Sequence, residues 1–143
     1  MAVVPYNDKE LKMLARLMRA EGEGDGQTGM LLVGNVGINR VRASCLDFKD
    51  IKSIERMIFQ SPGGFEATQK GYFYQRARQS EIDLARKVIA GKRYRPGEYS
   101  LWFFRPGGSC PATWYDQANS GRYKSHCFYT PTQQACASVY STR

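Results

Sequence analysis

The stretch from Gln27 to Val41 constrains this chain more than any other. Its apolar residues Met30, Leu32, Val33, Val36 and Ile38 fall on most sides of a helix that turns about 100° per residue. A helix apolar over most of its surface has no side suited to water, so other elements must surround it. The spacing therefore predicts a central core helix over 27–41. Gly34 and Gly37 weaken such a helix, and their presence implies that another element packs closely there. A chain of 143 residues suits one domain, 1–143, and can bury roughly two-thirds of its unfolded surface.

The flanking segments read as the wrapping. Asn7 is placed to cap a first helix, with Glu10 at the capping-box position. Leu11, Leu14 and Met18 then recur at helical spacing, Ala15 fills in, and the glycines at 22, 24 and 26 end the helix. Ser53 to Gln60 is a short amphipathic helix, followed by a loop at Ser61-Pro62-Gly63-Gly64. Ser80 is placed to cap a further helix carrying Ile82, Leu84, Ala85, Val88 and Ile89, with Gly91 at its end. Tyr99 to Phe104 reads as a strand ended by Pro106-Gly107-Gly108, and Tyr123 to Tyr129 as a second strand stopped by Pro131. Helices first and strands last give an α+β class.

Composition narrows the function. The net charge of +8 favours polyanionic surroundings, although the basic residues are dispersed. No apolar run approaches the ~20 residues of a membrane span. Residues 1–10 lack the apolar core of a signal peptide. The expectation is a soluble protein made in the cytosol without Sec export. The cysteines at 45, 110, 127 and 136 form no Cys-x-x-Cys pair, and His126 is the single histidine, so no metal site is expected. Reduced, buried thiols are the default in a cytosol. An oxidised pair in an extracytoplasmic shell is the alternative, with Cys127 to Cys136, or Cys110 to either, left open by the spacing.

The chemistry centres on Glu21, Glu23 and Asp25, each followed by glycine. Glu21 lies seven residues after Leu14 and three after Met18, so it continues the apolar stripe of the first helix. Glu23 and Asp25 fall beyond the helix end and are expected to turn to solvent. Apolar neighbours and a helix C-terminus both disfavour a carboxylate, so Glu21 is expected to hold its proton more tightly than usual. A carboxylic acid of that kind can protonate a leaving oxygen near neutral pH.

The stretch LARLMRAEGEGDGQTGMLLVGNVGINRVR, from Leu14 to Arg42, resembles the opening of the SleB/CwlJ cell-wall hydrolases. So do Phe65-Glu66-Ala67, the run SLWFFRP from Ser100 to Pro106, and KSHCFY from Lys124 to Tyr129. The resemblance covers nearly the whole chain. It implies a lysozyme-like, lytic-transglycosylase-like α+β fold, helical in its first half with a small antiparallel sheet from the C-terminal half. The family's catalytic glutamate falls on Glu21. Where the SleB-like pattern reads Glu-Ala-Arg-Gly-Glu, this chain has Glu21-Gly22-Glu23-Gly24-Asp25, so no basic contact carries over at Glu23.

The resemblance further implies cleavage of the glycan strands of spore-cortex peptidoglycan, the wall containing muramic-δ-lactam, during germination. It implies a place at the boundary of coat and cortex, reached from the mother cell without a signal peptide. A GerQ-like coat partner and activation by calcium dipicolinate come with it; no cofactor and no nucleic acid do. An ordinary glycosidase needs two carboxyl groups. A lytic transglycosylase needs one, because the C6 hydroxyl of the substrate's own sugar closes on C1. With one well-placed Glu the second route is favoured; a muramidase or glucosaminidase using Glu66 as second carboxylate is the rival.

Other substrate-site candidates follow. Asn35 and Asn39 lie one turn apart on the apolar helix, where they would orient Glu21, bind acetamido groups, or simply bond backbone. Phe65, Tyr72 and Tyr74 are candidate sugar platforms. Alternation along the second strand puts Lys124, His126 and Phe128 on one face, opposite Tyr123, Ser125, Cys127 and Tyr129, with His126 a candidate site residue. A nucleic-acid module lacks a motif. A non-catalytic coat protein would not need Glu21, and a zinc amidase would need more ligands than this chain offers.

Overall fold

In a computed structural model, which describes residues 2–60 and 65–141, every position from Leu31 to Val41 is buried. These residues belong to helix α2 (Gly26–Arg42), and the other elements pack around it. Helices α1 (Asp8–Gly22) and α4 (Gln79–Ile89), with the short α3 (Ile54–Ile58), cover one side. Leu14, Leu17, Met18, Met57, Ile58, Ala85 and Val88 form this main core. A four-stranded antiparallel sheet covers the other side, in the order β1 (Trp102–Phe104), β4 (His126–Thr130), β3 (Gln117–Tyr123), β2 (Thr113–Trp114). Leu32 and Val36 of α2 meet Phe128 and Phe103 of this sheet. The expected α+β class, with helices in the first half and a small antiparallel sheet in the second, is the observed one.

Close approach explains the helix glycines. A Cβ at Gly34 would sit 2.9 Å from the Met18 methyl and 3.0 Å from Val88, and one at Gly37 would sit 2.9 Å from Met57. The tighter contact is at the helix junction, where a Cβ on Gly22 would lie 2.7 Å from the Gly29 carbonyl oxygen. There the backbones of α1 and α2 nearly touch.

Buried polar groups tie irregular segments to this frame. Asn35 donates to the Lys92 carbonyl at 2.8 Å and accepts the Tyr94 amide at 2.7 Å. Asn39 donates to the carbonyls of Glu98 at 3.1 Å and Ser100 at 2.9 Å. A segment without regular structure can run against a buried helix only if its backbone finds partners, and these two amides supply them. Arg19 does the same for the stretch after α3. Its guanidinium, 3% exposed, donates to the carbonyls of Arg76, Tyr72 and Gln75 and pairs with buried Glu81 at 3.3 Å.

Several local expectations change. Asn7 does cap α1, accepting the Glu10 amide at 2.8 Å, but the Glu10 side chain leaves the cap and accepts the Glu55 amide of α3. The fourth helix starts at Gln79 rather than after Ser80, because Glu81 takes the Arg78 amide. The strand expected over 99–104 is ordered as strand only from Trp102. The strand expected over 123–129 is two strands. Lys124, at φ 48°, turns the chain between them, and only His126, Cys127, Phe128 and Tyr129 keep the expected alternation. The loop at 61–64 lies outside the described residues.

All four cysteines are oxidised. Cys45 joins Cys136 and Cys110 joins Cys127, with Cα atoms 5.5 and 5.8 Å apart. The expectation of reduced thiols is therefore corrected, and Cys45 enters a pair that spacing did not suggest. The physical reason is that folding alone brings residues 91 positions apart together, beside α5 (Ala137–Tyr140). Among the described residues no helix is long and apolar enough to cross a membrane.

Gly22→Ala is expected to force the α1–α2 junction apart and cost about 1–3 kcal/mol, the usual penalty of overpacking. Gly24→Ala, where nothing lies within 4 Å of the new methyl, should stay within about 0.5 kcal/mol of the parent. Paired denaturant melts check the contrast.

Candidate active site

Glu21 sits on the last turn of α1, where the apolar stripe of Leu14 and Met18 runs out. It is half-buried, and its Oε2 accepts the Ala67 amide at 3.2 Å. Burial raises its proton affinity above that of an ordinary carboxyl group. The Ala67 hydrogen bond and the positive charges of His126 and Arg40 oppose the rise, and the charge of Glu66 adds to it. The elevated proton affinity read from the sequence therefore holds, with burial as its main cause.

Arg40 comes from α2 and is 6% exposed. Its guanidinium lies between two rings, 4.8 Å from the Phe48 centroid and 4.7 Å from that of Phe65, and its Nε donates to the Leu101 carbonyl at 2.8 Å. Burial pulls its pKa down to about 10, against the opposing pull of Glu21, so it remains a cation at neutral pH. Sequence reading passed over Arg40. The available signal was a cation inside a helix that is otherwise apolar.

Asp25 is the main surprise. Instead of turning to solvent it is 6% exposed, because a 3-10 turn over Glu23–Asp25 tightens the helix end and rotates it inward. Ser125 Oγ donates to it, lying 2.7 and 2.8 Å from its two oxygens, and His126 Nδ1 lies 2.8 Å from Oδ2. Burial works against its charge, but the bonds from His126 and Ser125 outweigh it and hold Asp25 below the usual carboxylate range. His126 itself packs edge-on to Phe103, at 5.3 Å between centroids. The hairpin turn between β3 and β4 is thus fastened to the turn after α1, beside Glu21.

The other candidates divide. Phe65 is 8% exposed, with one neighbour Arg40 and another Phe103 at 6.2 Å, so it is wall rather than open platform. Asn35 and Asn39 spend their amides on backbone, the structural one of the readings open for them. Glu66 points outward, 82% exposed, and pairs with Lys70 at 3.5 Å. Tyr72 and Tyr74 are exposed. Tyr72 donates its hydroxyl to Glu23, and Tyr74 donates to the Thr68 carbonyl at 2.8 Å. The hydroxyl of Tyr72, and then Arg78, hold Glu23 below the usual carboxylate range. Among the described residues no three His, Cys, Asp or Glu side chains gather as a metal site would require.

An α+β domain with a half-buried carboxyl group of raised proton affinity at the junction of helices and sheet suits an enzyme that acts on the cell wall. The chain belongs to the cell wall hydrolase family, whose model matches residues 24–129. Glu21 lies just before the matched span. The cell wall hydrolase CwlJ of Oceanobacillus iheyensis is 67% identical over 140 residues, covering 98% of this chain and 99% of its own. The CwlJ of Bacillus subtilis is 58% identical over 142 residues, covering 99% of each. Among solved structures, the catalytic domain of Bacillus cereus SleB superposes with a TM-score of 0.70 at 22% identity, over 89% of this chain and 95% of that one. The catalytic domain of the germination-specific lytic transglycosylase SleB of Bacillus anthracis gives 0.68, also at 22% identity, over 89% of this chain and all of its own. The chain is a wall-lytic enzyme that acts on peptidoglycan.

The raised proton affinity of Glu21 has a consequence for stability. Its folded pKa lies above the unfolded value of ~4.3, so its contribution is intact below that pH and is lost as pH rises through the folded pKa. Glu21→Gln keeps an acceptor for the Ala67 amide without the ionisable group. It is expected to raise Tm by a few degrees at neutral pH and by nothing near about pH 4. Thermal melts at the two pH values check this.

Proposed function

We propose that the protein is a spore cortex-lytic enzyme that cleaves the glycan strands of muramic-δ-lactam peptidoglycan as a lytic transglycosylase, with Glu21 as both acid and base. One observation carries the reading: burial raises the proton affinity of Glu21, while the carboxyl groups near it are engaged elsewhere. Asp25 is held by Ser125 and His126, and Glu66 faces solvent beside Lys70. Glu21 gives its proton to the glycosidic oxygen as the bond from that oxygen to C1 of the muramic sugar breaks. The C6 hydroxyl of the same sugar closes on C1 and returns its proton to Glu21. No water is consumed, and the product ends in 1,6-anhydromuramic acid. The tethered hydroxyl gains from proximity, which is worth several kcal/mol when the geometry is right.

The spore setting rests on the likeness to the CwlJ and SleB proteins. With it come the boundary of coat and cortex as the location, a GerQ-like coat partner and calcium dipicolinate as activator. Exposed Tyr72, whose hydroxyl bonds Glu23 just past the end of α1, and exposed Tyr74 are candidate rings for stacking on sugars.

Digestion of cortex fragments in ¹⁸O-labelled water, read by mass spectrometry of the muropeptides, tests the reaction. Unlabelled anhydromuramic ends are expected. Labelled muramic ends would mean hydrolysis and promote Glu66; labelled glucosamine ends would move the cleaved bond. Glu21→Gln should lose activity by roughly a thousandfold or more while keeping its fold, and Glu66→Gln should stay within about threefold of the parent.

A further inference from the structure

The face of the sheet turned away from α2 carries a cluster of rings that the chemistry at Glu21 leaves unused. Phe103 and Phe128 are paired across β1 and β4 and pack toward α2, so their neighbours Trp102, Phe104, Cys127 and Tyr129 project from the opposite face. There Trp114 of β2 stacks on Phe104 at 4.1 Å between centroids. Tyr115 lies edge-on to Trp114 at 5.3 Å and stacks with Trp102 at 6.3 Å. Trp102 and Trp114 are the only tryptophans of the chain. The connection from β1 to β2 is fastened to the same face: Cys110 joins Cys127, Tyr129 donates to the Pro111 carbonyl at 2.7 Å, and Arg122 donates to that of Gly108 at 2.7 Å. The rings are therefore held in place before anything binds, which lowers the cost of binding.

Tyr115 stands out in two ways. At 69% it is the most exposed large apolar side chain among the described residues. With Asp116 it also forms the two-residue turn that joins β2 to β3, at φ 51° and 63°. Such a turn favours Asn, Asp or Gly, and a bulky ring in the left-handed region carries backbone strain. Strain kept at an exposed position points to use of the ring rather than to packing. The surroundings also differ from the rest of a chain whose net charge is +8: from Pro106 to Gly121 Asp116 is the only charged residue, and the other polar side chains are hydroxyls and amides, apart from Cys110.

We propose that Trp102, Trp114 and Tyr115 form a glycan-binding platform that holds a stretch of N-acetylated sugars of the wall polymer while the strand is cut at Glu21. The inference rests on the reading of the substrate as a glycan strand. Sugar rings pack their C–H faces on aromatic rings, and their hydroxyl and acetamido groups pair with hydroxyls and amides. Neither side needs a charge, which fits this nearly uncharged face. The available area decides against a protein partner. Trp102, Phe104 and Trp114 are half-buried, so the patch falls short of the ~800 Å² that each partner gives to a stable protein interface. One or two sugar rings need much less. A polymer extends past the bond being cut, so a second hold on it raises its effective concentration at the acid.

The test uses the two tryptophans as reporters. The parent, Tyr115→Asn, Tyr115→Gly and Tyr115→Phe are titrated with a soluble oligomer of N-acetylglucosamine while tryptophan emission is followed. Each protein is also sedimented with insoluble cortex peptidoglycan. Asn and Gly remove the ring and suit the left-handed turn, so both variants are expected to melt at or above the Tm of the parent. Both should bind oligomer and wall about three- to tenfold more weakly, with Tyr115→Phe close to the parent. A parent whose emission does not respond to the oligomer would overturn the proposal. So would unchanged binding by folded Tyr115→Asn and Tyr115→Gly, or loss of the fold in both, which would make the ring structural. A parent dimer that these variants dissolve would overturn it as well, because a second copy would then cover the face. Muropeptide release by the parent from the same cortex peptidoglycan keeps the two readings apart. Release without an emission response removes the platform alone, and an emission response without release removes the cortex-lytic reading alone.

Discussion

Helix α2 has no face that water can reach along its central eleven residues, and most of the structure answers that constraint. Leu32 and Val36 need an apolar surface on one side, and the sheet supplies it through Phe103 and Phe128. Gly34 and Gly37 face the other side, where Met18, Val88 and Met57 fill the space their missing side chains leave. Each large apolar residue buried this way contributes about 1.5–3 kcal/mol. Against that stands the ordering of segment 92–100, which lacks regular structure, and of 72–76, where a short 3-10 turn ends. Their backbones could not be buried without partners, and Asn35, Asn39 and Arg19 provide them from inside the helical frame.

The buried ion pair of Arg19 and Glu81 belongs to the same scheme. Taking both charges out of water is costly, and the pair by itself is weak support for stability. Here Arg19 also satisfies three carbonyls of the chain that leads from the 3-10 turns into α4. Its role is to fix where that chain lies. Ala67, whose amide reaches Glu21, belongs to the same stretch, so a buried arginine two residues before Glu21 on α1 also helps define the surroundings of the acid.

The site itself arises from two opposed requirements. An acid of the proposed kind has to hold its proton more tightly than an ordinary carboxyl group, and burial at the end of an apolar stripe acts in that direction. It must also give the proton up, which calls for positive charge nearby. Arg40, buried between Phe48 and Phe65, brings a positive charge to Glu21 from α2, while His126, held by Asp25, comes from a different element. The expense is a set of buried charges at the junction of α1, α2 and the sheet, each compensated locally by rings, carbonyls or a carboxylate.

The core helix, the apolar stripe leading to Glu21 and the α+β order of elements were legible in the sequence, because periodicity and local chain stiffness act over a few residues. Asn7 as a cap was legible for the same reason. What the sequence alone did not decide were contacts between residues far apart. Spacing could not show that Asp25 turns inward, since that depends on a 3-10 turn whose acid finds Ser125 and His126 a hundred positions away. Nor could it show that Lys124 bends the chain into a hairpin, or that Cys45 reaches Cys136. Asn35 and Asn39 were marked as unusual by their type, but their partners in 92–100 were set by packing. Local sequence decided which elements form and where an acid would be buried. The tertiary structure decided which charges surround it, because electrostatic neighbours are fixed by distance in space and not by distance along the chain.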